Sequence, residues 1–160
     1  MKTNRQQGFS LIELLIVVAI IGIIAAIAVP NLLASKRAAN EGSAQSSLRT
    51  IHSAQITYQA TTGSGSYAAN IATLLGQKLV DPVLGGGSKS GYDFAIIDQG
   101  GSYATAVFGA YAYPTSTSGV GQTGTRTFGI TEVGIMRGDT DLSAIPASRA
   151  DINALPPLTN

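Results

Sequence analysis

Polar and apolar positions divide the first part of the chain sharply. Met1 to Gly8 is polar and carries Lys2 and Arg5. From Leu14 to Val29 there is no charged and no hydrogen-bonding side chain, only Leu, Ile, Val, Ala and one Gly. A helix rises about 1.5 Å per residue and needs roughly 20 apolar residues to cross a hydrocarbon core. The run from Leu11 to Ala34 has that length and predicts a spanning helix. Glu13 is its anomaly, because an ionised carboxylate there is costly without a partner. Pro30 removes a backbone donor and predicts a kink near Ala26, and Gly22 is a second weak point.

After Asn31 the pattern turns amphipathic. Ala44, Leu48, Ile51, Gln55 and Tyr58 recur at alternating spacings of four and three, one stripe of a helix. Lys36, Arg37, Glu41 and Arg49 fall away from that stripe, and Thr61 to Ser66 (TTGSGS) ends the helix. Ile71, Leu74, Leu75 and Leu79 predict a short helix, closed by Asp81-Pro82 and Gly85-Gly86-Gly87. Strands are predicted over Tyr92 to Ile97, Tyr103 to Tyr113 and Arg126 to Met136, with a turn at Gln99-Gly100-Gly101. In the third strand Phe128, Ile130 and Val133 are placed on the buried face, with an irregularity at Gly134. Asp139 to Asn160 reads as a loop-like tail. The fold class expected is α+β, a long N-terminal helix packed on a small antiparallel sheet.

Composition narrows the chemistry. The chain has 160 residues and a formal net charge of +1, which points to no nucleic-acid patch and no polyacidic partner. It has no cysteine, so neither a disulfide framework nor a thiolate metal site is available. Glycine supplies 19 residues, well above the usual ~7%, nearly all beyond residue 60.

Motifs in the second half weigh against catalysis. Gly119 to Gly124 matches G-x-G-x-x-G, but a strand follows it where a dinucleotide site needs a helix, so a hairpin loop is favoured. Gly85 to Ser90 (GGGSKS) lacks the spacing of a phosphate loop. His52 is the single histidine, and packing on the helix is favoured over metal ligation. Asp139 and Asp141 are spaced like hard-cation ligands, but a D-x-D pair alone reads as a solvated loop. No catalytic residue, cofactor site or metal site is assigned, and the chain is not expected to be an enzyme.

The N-terminus carries the most specific signal. In Gly8-Phe9-Ser10-Leu11-Ile12-Glu13 a Gly and a Phe precede the apolar run, so cleavage there would leave the apolar helix on the product. Physical reasoning alone leaves a signal anchor with a random flank equally open. The motif, continued through Gly22 and Pro30-Asn31-Leu32, resembles the class III leader of type IV prepilins and pseudopilins over about the first quarter of the chain.

That resemblance implies a leader, residues 1–8, cut by a prepilin peptidase between Gly8 and Phe9, with N-methylation of Phe9. It implies a membrane or filament-core helix over 9–34, an amphipathic continuation over 35–61 and an α+β head over 62–160. Cleavage would create a terminal cation on Phe9, four residues before Glu13 and on the same helix face. In the family the carboxylate pairs with a neighbour's terminal amine and sets register, whereas the bland reading has Glu13 snorkelling to headgroups. The Gly22–Pro30 segment is the part implied to loosen on assembly.

The function implied is a structural subunit of a type IV pilus, a helical homopolymer. The alternative is a type II secretion pseudopilin, and a signal-anchored periplasmic domain is the third reading. Implied partners are copies of itself, the peptidase and methyltransferase, an inner-membrane assembly platform and, before assembly, membrane lipid. DNA binding is possible but not indicated. The implied location is the bacterial inner membrane first, then an extracellular pilus or a periplasmic pseudopilus. The family also gives a reason to keep calcium open at Asp139 and Asp141.

Overall fold

The computed structural model describes residues 8–158, the side chains of residues 98 and 99 excepted. The chain divides into two compact units, the first ending at Ser35 and the second beginning at Lys36. One helix, α1 (Leu11–Ala60), contributes to both. Among the described residues of the first unit it is the only helix or strand. It remains helical through Gly22 and Pro30, and none of its apolar membrane-length window is buried.

The second unit is a helix-on-sheet head. Its elements after α1 are α2 (Ile71–Gly76), α3 (Pro82–Gly85), β1 (Ser88–Lys89), β2 (Tyr92–Gly100), β3 (Val107–Pro114), β4 (Thr127–Thr131), β5 (Met136–Asp139) and α4 (Arg149–Ala154). The strands form one five-stranded sheet in the order β1-β2-β3-β4-β5, every pair antiparallel. This is the α+β architecture expected from the pattern.

Period-two alternation builds the core. Tyr92, Phe94 and Ile96 of β2, Phe108, Ala110 and Ala112 of β3, and Phe128 and Ile130 of β4 turn to the same face. Ala44, Leu48, Ile51 and Ala54 of α1 fill that face from the other side, all of them buried. Gln55 is buried in the same stripe because its amide is satisfied twice by Ala68. Nε2 donates to the Ala68 carbonyl at 3.0 Å and Oε1 accepts the Ala68 N–H at 2.7 Å. Short helices start where side chains cap them: Asn70 accepts from Thr73 N, and Asp81 accepts from Val83 and Leu84 N.

Four details depart from the sequence expectations. Tyr103–Thr105 is a 3-10 turn rather than the start of a strand, and β2 runs on to Gly100 with a register shift after Ile97. The third predicted strand is two strands. Gly134, at φ 80°, turns the chain between β4 and β5, and Val133 in that turn is 65% exposed instead of buried. Glu41 is only 7% exposed, because the β3–β4 connection covers the helix face on which it lies.

The tail is the largest departure. It forms α4 and closes the outer face of the sheet. Ser148 and Asp151 make a capping box at the start of α4. Ile152 is fully buried there, over Gly109 and Gly129, where an added Cβ would lie 2.9 and 2.7 Å from its side chain. Further on, Arg137 bridges Pro157, Gly138 N donates to Pro156 O, and Leu158 N donates to Met136 O. A chain without cysteine holds its C-terminal segment by packing, caps and edge pairing.

Candidate functional site

The candidate site in the first unit begins where the helix starts. Glu13 N and Leu14 N donate to Ser10 O at 3.1 and 3.3 Å, which opens the first turn. The Glu13 carboxylate reaches back, and Oε2 accepts Ser10 N at 2.9 Å. This is one half of an S-x-x-E capping box, and it sets an anion where the helix dipole favours one. Ser10-Leu11-Ile12-Glu13 carries that signal in the sequence, beside the terminal amine and the lipid headgroups expected as partners of the acid. Phe9 is exposed, and Gly8 has open space about it. Lys2, Arg5 and the rest of the expected leader before Gly8 lie outside the described residues.

Beyond Glu13 the surface is uniformly apolar. Leu14, Leu15, Ile20, Ile21, Ile23, Ile24 and Ile27 are all exposed. Transfer of each such side chain from water is worth about 1.5–3 kcal/mol. Together the seven represent about 10–20 kcal/mol, as large as the net stability of a small domain, about 5–15 kcal/mol. A continuous exposed apolar face of this size is the kind that marks a membrane or protein interaction surface. At Pro30 the helix lacks a donor, and Asn31 Nδ2 donates to the Ile27 carbonyl at 3.1 Å in the same turn. Gly22 leaves the helix surface open, with nothing within 4 Å of where a Cβ would be.

In the second unit the sequence candidates are scattered. His52 packs its ring against Phe108 at 5.9 Å between centroids, and its Nε2 lies 3.3 Å from Glu132 O. Gly119 to Gly124 lies in the connection between β3 and β4, and Gly85 to Ser90 leads from α3 into β1. Asp139 and Asp141 border a groove with Ser143 and Asp151. Their carboxylates are occupied locally: Asp139 Oδ1 accepts Thr140 N at 2.6 Å, and Asp141 Oδ1 accepts Ser143 N at 2.8 Å. The Ser143 hydrogen bonds hold the Asp141 carboxyl below its usual range. Among the described residues no three His, Cys, Asp or Glu side chains converge as a metal site.

The pattern missed an ionic cluster of this unit built on the buried Glu41 carboxylate. Glu41 Oε1 accepts from Thr125 N at 2.8 Å and from Thr125 Oγ1 at 2.6 Å. Its Oε2 accepts from Arg126 Nε at 3.1 Å and faces the Nη2 at 3.0 Å. Burial pushes the carboxyl up, but the Thr125 and Arg126 donors outweigh it and hold Glu41 below the ordinary glutamate range. Beside it, burial and then the Glu41 charge push the Tyr92 hydroxyl up, while that hydroxyl donates to Arg126 O at 2.9 Å. Nearby Arg37 Nη1 donates to Gln122 Oε1 at 3.1 Å, and Asn40 Nδ2 donates to Thr123 O at 2.8 Å. Spacing could have found it: Arg37, Glu41 and Ala44 extend the buried stripe upward by further steps of four and three.

Comparison with known proteins bears on the N-terminus. Residues 3–29 match the family model described as the prokaryotic N-terminal methylation motif. The chain is 49% identical over 51 residues to the type IV major pilin protein PilA of Myxococcus xanthus, covering 32% of this chain and 23% of that one. It is 45% identical over 72 residues to the type IV wide pilus major component PilA4 of Thermus thermophilus, 45% of this chain and 53% of that one. It is also 37% identical over 57 residues to type II secretion system core protein G of Escherichia coli, 36% of this chain and 39% of that one. The matches thus span about half, or less, of each relative. No solved structure matches the chain significantly.

An α+β head on a long helix whose apolar start opens with a methylation motif defines a class of membrane-anchored, pilin-like subunits. Over its N-terminal part the chain is similar to type IV pilins and type II secretion pseudopilins.

Proposed function

We propose that the chain is a structural subunit of a type IV pilus, polymerised through its N-terminal helix. The observation that carries this reading is the apolar window of α1, none of it buried, with a single acid at its start. Before assembly, lipid of the bacterial inner membrane covers that surface; afterwards, the helices of neighbouring copies do. A prepilin peptidase removes residues 1–8, the new Phe9 amine is methylated, and an inner-membrane platform extracts the subunit into the filament. On cleavage Glu13 exchanges the hydrogen bond it accepts from Ser10 N for the terminal amine of a neighbour, and the penalty on leaving that charge unpaired in so apolar a bundle fixes the register. Gly22 and Pro30 mark the segment that loosens on packing. No catalytic role is proposed for the head.

A type II secretion pseudopilin is the second reading, favoured by the similarity to core protein G. Intact-mass spectrometry on sheared surface filaments and on the membrane pellet separates the two. A pilus subunit is expected as an abundant sheared species lacking residues 1–8 and carrying one methyl group. The same mature species confined to the membrane assigns the pseudopilin. An uncut chain in both fractions refutes both.

A further inference from the structure

The second unit carries a hollow of about 530 Å³ at the C-terminal end of α1, lined by Gln59, Ala60, Thr61, Ser64, Gly65 and Tyr103. No charged side chain lines it. The last turn of α1 holds no basic residue to answer the negative end of the helix dipole.

Tyr103 is the aromatic wall of the hollow. It is 72% exposed, yet the backbone beneath it is fixed. Tyr103 N donates to Gly65 O at 2.7 Å, and Gln59 Nε2 donates to Tyr103 O at 3.3 Å. These bonds hold the residue at φ 53°, a left-handed conformation that residues other than glycine avoid. The Cγ end of the ring rests on Gly65. A Cβ there would stand 2.8, 2.8 and 2.9 Å from Cδ1, Cγ and Cδ2, so it would lie over the ring face rather than at its edge. An exposed tyrosine that is already immobilised loses little freedom when a ligand settles against it.

The polar groups around the ring mostly accept. Of the last carbonyls of α1, Thr57 O takes Thr61 N, Tyr58 O takes Gly63 N and Gln59 O takes Gly65 N. Among the described residues no donor reaches Ala60 O. Gln59 Nε2 gives its hydrogens to Gly65 O and Tyr103 O, which leaves Oε1 as an acceptor. Thr61 Oγ1 donates to Thr57 O at 2.7 Å and keeps its lone pairs. A π face, three acceptors and a helix C-terminus all favour positive charge. A neutral sugar, which brings acceptors of its own, would find only the Ser64 and Tyr103 hydroxyls to serve them.

We infer that this hollow binds an organic ammonium group, seated between the Tyr103 ring and the acceptors of Gln59, Ala60 and Thr61. A free quaternary amine and a lysine side chain of another protein offer the same chemistry, and the test distinguishes them.

The full-length chain, with carbon-13 in its tyrosine rings, is held in a polyoxyethylene detergent that presents neither ammonium nor sugar. Choline chloride and Nα-acetyl-lysine amide are titrated in turn against a sodium chloride control, and Tyr103→Leu assigns the ring signal. Expected is a saturable shift of the Tyr103 signal at millimolar ligand, with the other tyrosines unmoved as a check on folding. The ligand bound more tightly names the source. Dimethylbutanol, the uncharged carbon isostere of choline, should bind about two- to fivefold more weakly. Gly65→Ala, whose Cβ collides with the ring, should weaken saturation transfer to the choline methyl protons, and Tyr103→Phe should retain it. No saturable shift with either amine, or equal binding of the uncharged isostere, overturns the ammonium site. A methyl glucoside that shifts the signal where choline does not makes it a sugar site and overturns the inference. Undiminished saturation transfer in Tyr103→Leu puts choline elsewhere and overturns it as well.

Discussion

Replacing Glu41 by glutamine tests the ionic cluster that ties α1 to the β3–β4 connection. The carboxylate takes two hydrogen bonds from Thr125 and two contacts from Arg126. Glu41→Gln keeps an oxygen for Thr125 but lowers those bonds from charged strength, about 1.5–3 kcal/mol, toward neutral strength, about 0.5–1.5 kcal/mol. It also turns an NH2 group toward the Arg126 donors. Because the Arg126 side chain is 40% exposed, its share is reduced by screening. The expected loss at neutral pH is about 2–3 kcal/mol, a large fraction of an ordinary domain's stability. All six tyrosines lie between Tyr58 and Tyr113, so near-ultraviolet tyrosine dichroism during urea unfolding of the detergent-solubilised chain reports the head alone. The folded carboxyl titrates below its unfolded value. Its contribution is therefore complete above the unfolded pKa and disappears as pH falls through the folded one. The gap between wild type and Glu41→Gln should close in acid. A neutral-pH gap under about 0.5 kcal/mol, or one that acid leaves unchanged, would refute the role assigned to Glu41.

Four further outcomes are expected. Ile152→Ala should lower head stability by about 2–4 kcal/mol. Gly129→Ala should destabilise on its own, since its Cβ would meet Ile152 at 2.7 Å, yet add little in an Ile152→Ala background, as thermal melts of the double-mutant cycle would reveal. Glu13→Ala should permit leader removal but sharply reduce filament yield by electron microscopy; normal filaments would remove Glu13 from register setting. Gly8→Val should leave the chain at its uncut mass, and fully mature protein from that variant would place the cleavage elsewhere.

The helix stripe and the inward strands could be read because burial there is periodic: Ala44, Leu48 and Ile51 keep helical spacing, and Phe94 and Ile96, or Phe128 and Ile130, alternate. Glu41 was misplaced because its charge suggested solvent, although its position continues the stripe. Only a loop more than eighty residues later supplies its partners, and no local pattern announces that. Val133 was misplaced by extending the alternation through Gly134, where the left-handed backbone ends the strand. The tail hid its order because prolines and short polar runs mask a single anchoring residue, Ile152, whose socket is two glycines on other strands. At the N-terminus the methylation motif was legible, while the Ser10–Glu13 cap was written in the same residues and overlooked.

Sealing of the sheet by residues 149–158 also sets an order of events during synthesis. The apolar helix emerges first and can enter the bilayer while most of the head is still unmade. Gly109 and Gly129 stay uncovered until Ile152 arrives, more than twenty residues after the last of the two has been polymerised. At about 5–20 residues per second this window lasts a few seconds at most. During it the nascent head is a sheet with one face uncovered, the form in which a chaperone or a protease would meet it.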